Sequence, residues 1–460
     1  MSAQRSHQPL THRRVFAIAV PVMVSNVSTP LLGVVDTGVM GRIPDPAYIG
    51  AVALGALIFN FVYWAFSFLR MGTTGLTAQA LGAGDDAELR AGLGRALLLA
   101  GGVGVALVGL QWPIREVAFA FIDGSDKVEG LARAYFDVRI WSAPATLANY
   151  ALLGWFIGLG RTDIGLVLQL VLNLTNMILD VLFVLGFGGG VQGIALGTVM
   201  AELVAVAVGL VVALRFVRRL PGRWSLRSLL QRDRLKRTLG VNVDIMIRTL
   251  ALLAAFVWFT TQGAQQGDLI LAANAVLLHF LSLSAFFLDG LAFAAEALVG
   301  QAVGAAHRAG LVAAARMTTG WAAGVAVLLS AAAFLLGPRL IELLTVDASI
   351  RGAAMTYLPW AALAPLLGVW AFQLDGIFIG ATRTADMRTA MVIALGIFLG
   401  AWWLLRPFGN HGLWAAFHVH YLARIGTLAY FYPRLLRSVT SRVTSSADTS
   451  TSTAEKSAPP

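Results

Sequence analysis

Two aspartates, Asp36 and Asp180, each stand inside a long apolar stretch with no obvious basic partner nearby. A charged side chain within an apolar helix is destabilising by about 2.5 kcal/mol or more, so it needs a partner or a task. Asp36 lies a few residues before Gly41-Arg42, and Asp180 a similar distance before the glycine-rich run from Gly186 to Gly190, which puts both carboxyls at one depth. Gln169, Asn173, Asn176 and Asp180 follow one another at spacings of four, three and four, so a helix presents them as a single polar stripe. Thr198 lies at a comparable depth beyond the glycines. Carboxylate, amide and hydroxyl oxygens gathered at one level suit a proton or a hard monovalent cation such as Na+.

Taken alone, Gln169 and Asn173 fit interhelical hydrogen bonding; as part of the stripe, Asn173 is a further candidate ligand. Pro21 and Pro30 each remove a backbone hydrogen bond from the first apolar run and make it a candidate hinge. The second half of the chain has its own polar residues: Asp289, Glu296, Asp375, His418, His420 and Arg424. Asp375 and Glu296 fall within about two turns of expected loops, where side chains can reach water, and read as structural. Asp289 and Arg424 are deeper and could neutralise one another; Asp244 and Arg248, four apart, read as an intrahelical ion pair.

Other chemistries are excluded by what is missing. There is no cysteine, hence no disulfide, thiolate metal site or thiol nucleophile. Neither GxxxxGK[ST] nor another phosphate-cradling loop occurs, so an ion gradient, not ATP, is the expected energy source. No cofactor, metal site or enzymatic activity is expected.

The elements that must position these residues are membrane-spanning helices. Of the 460 residues 58% are hydrophobic and 13% charged, with a mean hydropathy of +0.75, too apolar for a chain surrounded by water. Apolar runs long enough to cross a bilayer fall at about 15–41, 49–72, 93–112, 135–159, 163–187, 191–216, 239–262, 269–294, 310–337, 355–380, 388–406 and 412–433, twelve in all. Turn chemistry separates them, as in Gly41-Arg42-Ile43-Pro44-Asp45-Pro46 and Gly337-Pro338-Arg339. The net charge of +10 is carried in short loops without a continuous basic face, so it reads as membrane topology and excludes a nucleic-acid partner. Lys and Arg concentrate in alternate loops, which places both termini in the cytoplasm. The first run, with Asn26 and Asp36 in it and no small-residue cleavage site, reads as a retained helix.

The halves repeat. Leu76-Thr77-Ala78-Gln79-Ala80-Leu81-Gly82-Ala83 matches Leu298-Val299-Gly300-Gln301-Ala302-Val303-Gly304-Ala305, and Phe156-Ile157-Gly158 with Arg161-Thr162 matches Phe378-Ile379-Gly380 with Arg383-Thr384, both at an offset of 222. Six spans per half give parallel repeats with a central cleft between two bundles. The same offset sets Trp258 against Asp36 and Trp402 against Asp180, so the ionisable pair belongs to the first half alone. The expected division is a cytoplasmic N-terminus over 1–14, an N-lobe over 15–216, a basic cytoplasmic linker over 217–238, a C-lobe over 239–433, and a cytoplasmic, largely disordered tail over 434–460 whose Ser/Thr/Ala composition buries little.

In its motifs the chain resembles the multidrug and toxic compound extrusion (MATE) family, and within it the DNA-damage-inducible F branch. The likeness rests on Val35-Asp36-Thr37 with Gly41-Arg42, on Gly154-Trp155-Phe156-Ile157-Gly158, and on Asn176-Met177-Ile178-Leu179-Asp180. Gln192 to Thr198, Glu296 to Ala305 and Leu374 to Arg383 extend it to roughly residues 12–437. The resemblance implies a monomeric twelve-helix antiporter of the bacterial inner membrane. Such a protein exports amphipathic, often cationic, drug-like molecules against protons or sodium ions by alternating access. It also implies that Asp36, Asn176, Asp180 and Thr198 form the ion site, with Tyr135 a further member. The family often has an Asn in the middle of span four; here the nearest options are Gly154 and Asn149. The alternative is a flippase for a lipid-linked precursor on the same architecture, which would need several deep basic residues for pyrophosphate.

Overall fold

The computed structural model describes residues 10–120, 125–221 and 225–455, and the side chains of these except at 226–227 and 440–455. Every regular element among the described residues is helical, as a backbone in hydrocarbon requires, since a helix satisfies its own N–H and C=O groups. In chain order these are α1 (His12–Met40), α2 (Pro46–Ala65), α3 (Phe68–Gly82), α4 (Asp86–Gly109), α5 (Gln111–Ala120), α6 (Asp126–Arg139), α7 (Ala143–Gly158), α8 (Thr162–Asp180) and α9 (Gly190–Arg218). They continue with α10 (Leu226–Leu229), α11 (Arg232–Gln265), α12 (Asp268–Gly304), α13 (Arg308–Leu344), α14 (Ala348–Gly380), α15 (Thr384–Leu405) and α16 (Gly409–Glu455).

Ten stretches among the described residues are long and apolar enough to cross a membrane. Two features account for the difference from the twelve runs in the sequence. The fourth run divides at a 3-10 turn, Ile140–Ser142, between a polar α6 and a 16-residue α7. Runs eleven and twelve, α15 and α16, join through another 3-10 turn, Arg406–Phe408, into one continuous stretch. Local chemistry starts and stops the helices. The Asp45 carboxylate accepts from Ala47 N (3.0 Å) with Pro46 at the first helical position of α2, and Ser125 Oγ accepts from Val128 N (3.4 Å) at the start of α6. α1 runs on through both Pro21 and Pro30.

The chain divides into two compact units. The N-terminal unit holds Val20–Thr77 and Asp86–Asn242; the C-terminal unit holds the residues up to Ala19, Ala78–Asp85, and the chain from Val243 onward. Thus 15–19 and 78–85, expected with the N-lobe, group with the second half. The reason for the latter is packing between repeat mates. A Cβ on Gly82 would strike the backbone of Gln301 and a Cβ on Gly304 the backbone of Gln79, so each copy of the repeated Gln-x-x-Gly motif lies against the other at a distance that only glycine permits. Gln79 Nε2 also donates to Gly380 O and Thr382 Oγ1, each at 3.0 Å.

In the N-terminal unit α9 is packed by α6, α7 and α8, while α2 lies on α6 and α4 on α7. The linker is held to α4: Arg90 donates to Leu220 O (2.9 Å) and Pro221 O (3.2 Å), and Arg95 to Ser228 O (3.0 Å). Residues 222–224 of that linker, 1–9 of the N-terminus and 456–460 of the tail lie outside the described residues. In the C-terminal unit α12, α13 and α14 pack together, and α16 lies on α14 and α15 around an aromatic core of Phe259, Phe398, Trp414 and Phe417. α16 continues to Glu455, because no Gly or Pro interrupts the chain between Pro433 and Pro459 to stop a helix once started.

Candidate functional site

α8 and α9 build the site from both sides of a wide turn. α8 delivers Asp180 at its last residue, and the next six residues, Val181–Gly186, form a π-helical turn in which Phe187 N bonds back to Leu182 O (3.1 Å). Such turns widen the helix and re-aim the side chains beside them. The chain then reverses through glycines with positive φ at Gly188 and Gly190 into α9. Gly197 of α9 faces Asp180 so closely that a Cβ there would collide with its Oδ1, and the absence of a side chain makes room for the carboxylate.

The sequence stripe comes together as a network. Asn176 Nδ2 donates to Asp180 Oδ1 (3.3 Å) and Thr198 Oγ1 (3.2 Å), and Thr198 Oγ1 donates to Ile194 O (2.9 Å). Asp180 and Asn176 are 0% exposed. α1 adds Asp36, whose carboxyl lies within hydrogen-bonding reach of the Asp180 carboxyl. Yet three oxygens in this group, Asp36 Oδ1, Asp180 Oδ2 and Asn176 Oδ1, are buried without a hydrogen-bond partner. A buried acceptor left unmatched is destabilising by about 1–3 kcal/mol, more when charged. Three of them at one point therefore call for something that binds oxygen.

The other predicted members divide. Tyr135, buried on α6 one turn before Arg139, lies in the field of that arginine and of both aspartates. Asn173 does not join the pair: it donates to Ser28 Oγ (3.0 Å) and accepts from Gln169 (3.0 Å), tying α8 to α1. Asn149 does not either, for its amide donates to Glu202 Oε2 (2.6 Å). Gly154 serves packing, with a Cβ there meeting the backbone of Arg70.

Glu202 is the residue that the sequence reading did not single out. It sits one turn along α9 from Thr198, on the same face, in an otherwise apolar helix, and that spacing was the available signal. Around it lie Asn149 and Thr146 of α7 and, at 3.9 Å, Nη2 of Arg139.

The C-terminal unit corrects two pairings and one expectation of exposure. Asp244 does not pair with Arg248: its Oδ1 accepts from Arg388 Nη1 (2.6 Å) and its Oδ2 from Thr384 (3.0 Å). Arg248 instead donates to Asp375, and Arg424 donates to the same Asp375 oxygen (2.6 Å), where Asp289 had been the expected partner. Asp375 and Glu296 do not extend to water; both are buried. Three helices, α11, α14 and α16, meet at the Asp375 carboxylate, a stronger attraction than one between neighbours on a solvated helix face. His418 and His420 are buried, with Nδ1 facing Trp414 O (2.8 Å) and Ala394 O (3.2 Å).

Comparison with known proteins places this arrangement. The profile of the MatE family matches residues 21–182 and 244–402. DNA damage-inducible protein F of Escherichia coli (strain K12) is 40% identical over 423 residues, covering 92% of each chain. A probable multidrug resistance protein NorM of Rhizobium meliloti (strain 1021) is 25% identical over 456 residues, 95% of this chain and 96% of that one. A solved outward-facing structure of a multidrug resistance MATE family transporter of the MOP superfamily superposes with a TM-score of 0.83 at 19% identity, covering 93% of this chain and 97% of its own, and shows the shared fold. The chain belongs to the MatE family, whose members are membrane transporters and not enzymes.

Proposed function

We propose that the protein is a secondary active exporter of amphipathic, often cationic organic compounds, driven by antiport of a cation that binds at Asp36 and Asp180. In this reading twelve spans cross the bacterial inner membrane with both termini in the cytoplasm, and the two halves alternate access under control of the ion site. The observation that carries it is the set of unmatched buried oxygens at Asp36, Asp180 and Asn176. An oxygen-binding cation that comes and goes accounts for a cluster that nothing in the fold satisfies.

Of the two candidate ions, the proton fits with less rearrangement. The two carboxyls already lie within hydrogen-bonding reach, so one proton between them satisfies both, whereas sodium would need a fuller shell of oxygens. Loading and release of the ion alter the attraction between α1 and α8, and Pro21 and Pro30 give α1 the places to bend. The flippase reading fares worse: two of the deep arginines that a pyrophosphate would need, Arg248 and Arg424, are engaged with Asp375.

The test is dye efflux from proteoliposomes with proton and sodium gradients imposed separately. The expected result is efflux driven by the proton gradient and abolished by a protonophore. Efflux that persists without either gradient and requires ATP would overturn the proposal.

A further inference from the structure

The two helices that flank the basic linker carry the same pattern on their exposed faces. On α9 the exposed Val211 and Leu214 are followed one turn on by Arg215 and Arg218, also exposed, and helical geometry sets all four within an arc of about 100°. On α11 Arg232 and Lys236 precede Leu239, all three exposed and within about 60° of one another. Each helix thus bears an uncovered apolar strip that stops at two cations. In a membrane transporter such a strip meets lipid chains, and long basic side chains at its end reach the level of the headgroups.

The first turns of α4 draw these two helix ends together. Arg90 donates to Leu220 O and Pro221 O just beyond α9, while Arg95 donates to Ser228 O and pairs with Glu88, whose other oxygen lies 3.5 Å from Arg234 Nη1 at the start of α11. Residues 88 to 95 span roughly 10 Å of helix, so both ends lie over one short segment. Their cations are not balanced there. None of Arg215, Arg218, Arg232 and Lys236 forms an ion pair among the described residues, Glu88 is taken by Arg95 and Arg234, and Asp233, the acid that opens α11, is exposed. At the far end of α4 the pattern is the opposite: Arg115 meets Asp137 (2.8 Å), Arg133 meets Glu116 (2.8 Å), and Lys127 meets Asp45. Arg232 also opens α11, where the helix dipole disfavours a cation that has no anion beside it. Insertion topology accounts for the sign of these residues. It does not account for their place on one face of each helix, next to an exposed apolar strip.

We propose that Arg215, Arg218, Arg232 and Lys236 form a seat for the phosphate of an anionic phospholipid, whose acyl chains lie along Val211 and Leu214 of α9 and Leu239 of α11. The phosphate oxygens accept from the guanidiniums and the ammonium, and the chains cover the apolar strips. The lipid thereby closes the linker end of the N-terminal unit. A zwitterionic lipid brings its own ammonium to the same level and leaves the surplus positive charge in place.

The experiment uses the full-length protein in a mild detergent, with phosphatidylglycerol and phosphatidylcholine of matched chains as probes and native mass spectrometry to count the lipid retained. The expected result is a phosphatidylglycerol held by the wild type in preference to phosphatidylcholine. Its apparent affinity should fall by about tenfold in Arg215→Gln/Arg218→Gln, and by a similar factor in Arg232→Gln/Lys236→Gln. Arg115→Gln/Arg133→Gln removes the same charge from the far end of α4 and should leave retention unchanged. A salt titration of the wild type tests the proposal without any variant: the preference should weaken as ammonium acetate rises from about 0.05 to about 0.5 M. No preference over phosphatidylcholine, a preference indifferent to salt, or an equal loss in Arg115→Gln/Arg133→Gln overturns the proposal. Displacement of the lipid by glycerol 3-phosphate at equal concentration also overturns it, because a soluble phosphate would then be the occupant.

Discussion

The two units treat a buried aspartate in opposite ways. In the C-terminal unit Asp375 is surrounded by two guanidiniums, Arg248 and Arg424, and ties three helices together. In the N-terminal unit Asp36 and Asp180 face each other, with Arg139 hydrogen-bonded elsewhere, and keep unmatched oxygens. Both arrangements bury charge, but only the first neutralises it from within the protein. The difference separates a carboxylate that holds the fold from carboxylates that, under the proposed function, hold an exchangeable ion, and it makes the two experimentally distinguishable.

The comparison breaks first at the aspartate pair. Asp36→Asn and Asp180→Asn are each expected to reduce gradient-driven efflux to the level of empty liposomes while folded protein remains in the membrane, and the double substitution should be no worse than either single one, because groups that act as a unit are not additive. Coupled efflux by either variant would remove the ion site from the N-terminal unit. Next in size is Asp375→Asn, which leaves two buried guanidiniums facing a neutral amide. It should lower stability by about 3–5 kcal/mol, seen as a fall in unfolding temperature and yield, with efflux per folded molecule largely kept. A normal unfolding temperature with lost efflux would show that the two regions do not differ as described.

Gly197→Ala sharpens the same contrast from the N-terminal side. Its Cβ must displace the Asp180 carboxylate, so efflux should fall by about ten- to a hundredfold, as for a sub-ångström to ångström misplacement of a working group, while the unfolding temperature changes little. The smallest effect belongs to a carboxylate outside the spans. The Lys127 ammonium beside Asp45 holds its carboxyl below the usual carboxylate range. A carboxyl so depressed adds stability above its unfolded value and loses it as pH falls through the lower, folded one. Asp45→Asn, which keeps an oxygen to cap α2, should therefore trim the unfolding temperature slightly at neutral pH and not at all in strong acid, with efflux unaffected.

Much of this was legible in the residues because lipid punishes a stray charge. Asp36 and Asp180 stood out for that reason, and the stripe from Asn176 to Asp180 located their depth by helical arithmetic alone. Glu202 carried the same signal, a lone carboxylate four residues after Thr198, but it lies one turn further from the glycine run that sets the depth of the aspartates. The pairing of Asp244 with Arg248 failed for a different reason: spacing along one helix says which groups can meet, but Arg388 and Asp375 arrive from other helices and only tertiary structure brings them. The division of the fourth apolar run at Ile140–Ser142 was likewise hidden, since a 3-10 turn leaves no break in hydropathy.

The π-helical turn after Asp180 has a consequence for how this site varies in length. A π turn is an α-helix carrying one surplus residue, so deleting any one of Val181–Gly186 lets the backbone close as an ordinary helix with no gap to bridge. Asp180 would keep its place on α8 and the glycine reversal into α9 would stay attached, but the widening that re-aims the side chains beside Asp180 would be lost. At this position a single-residue deletion, more than a substitution, is the change expected to re-aim Asp180 without breaking the helix that carries it.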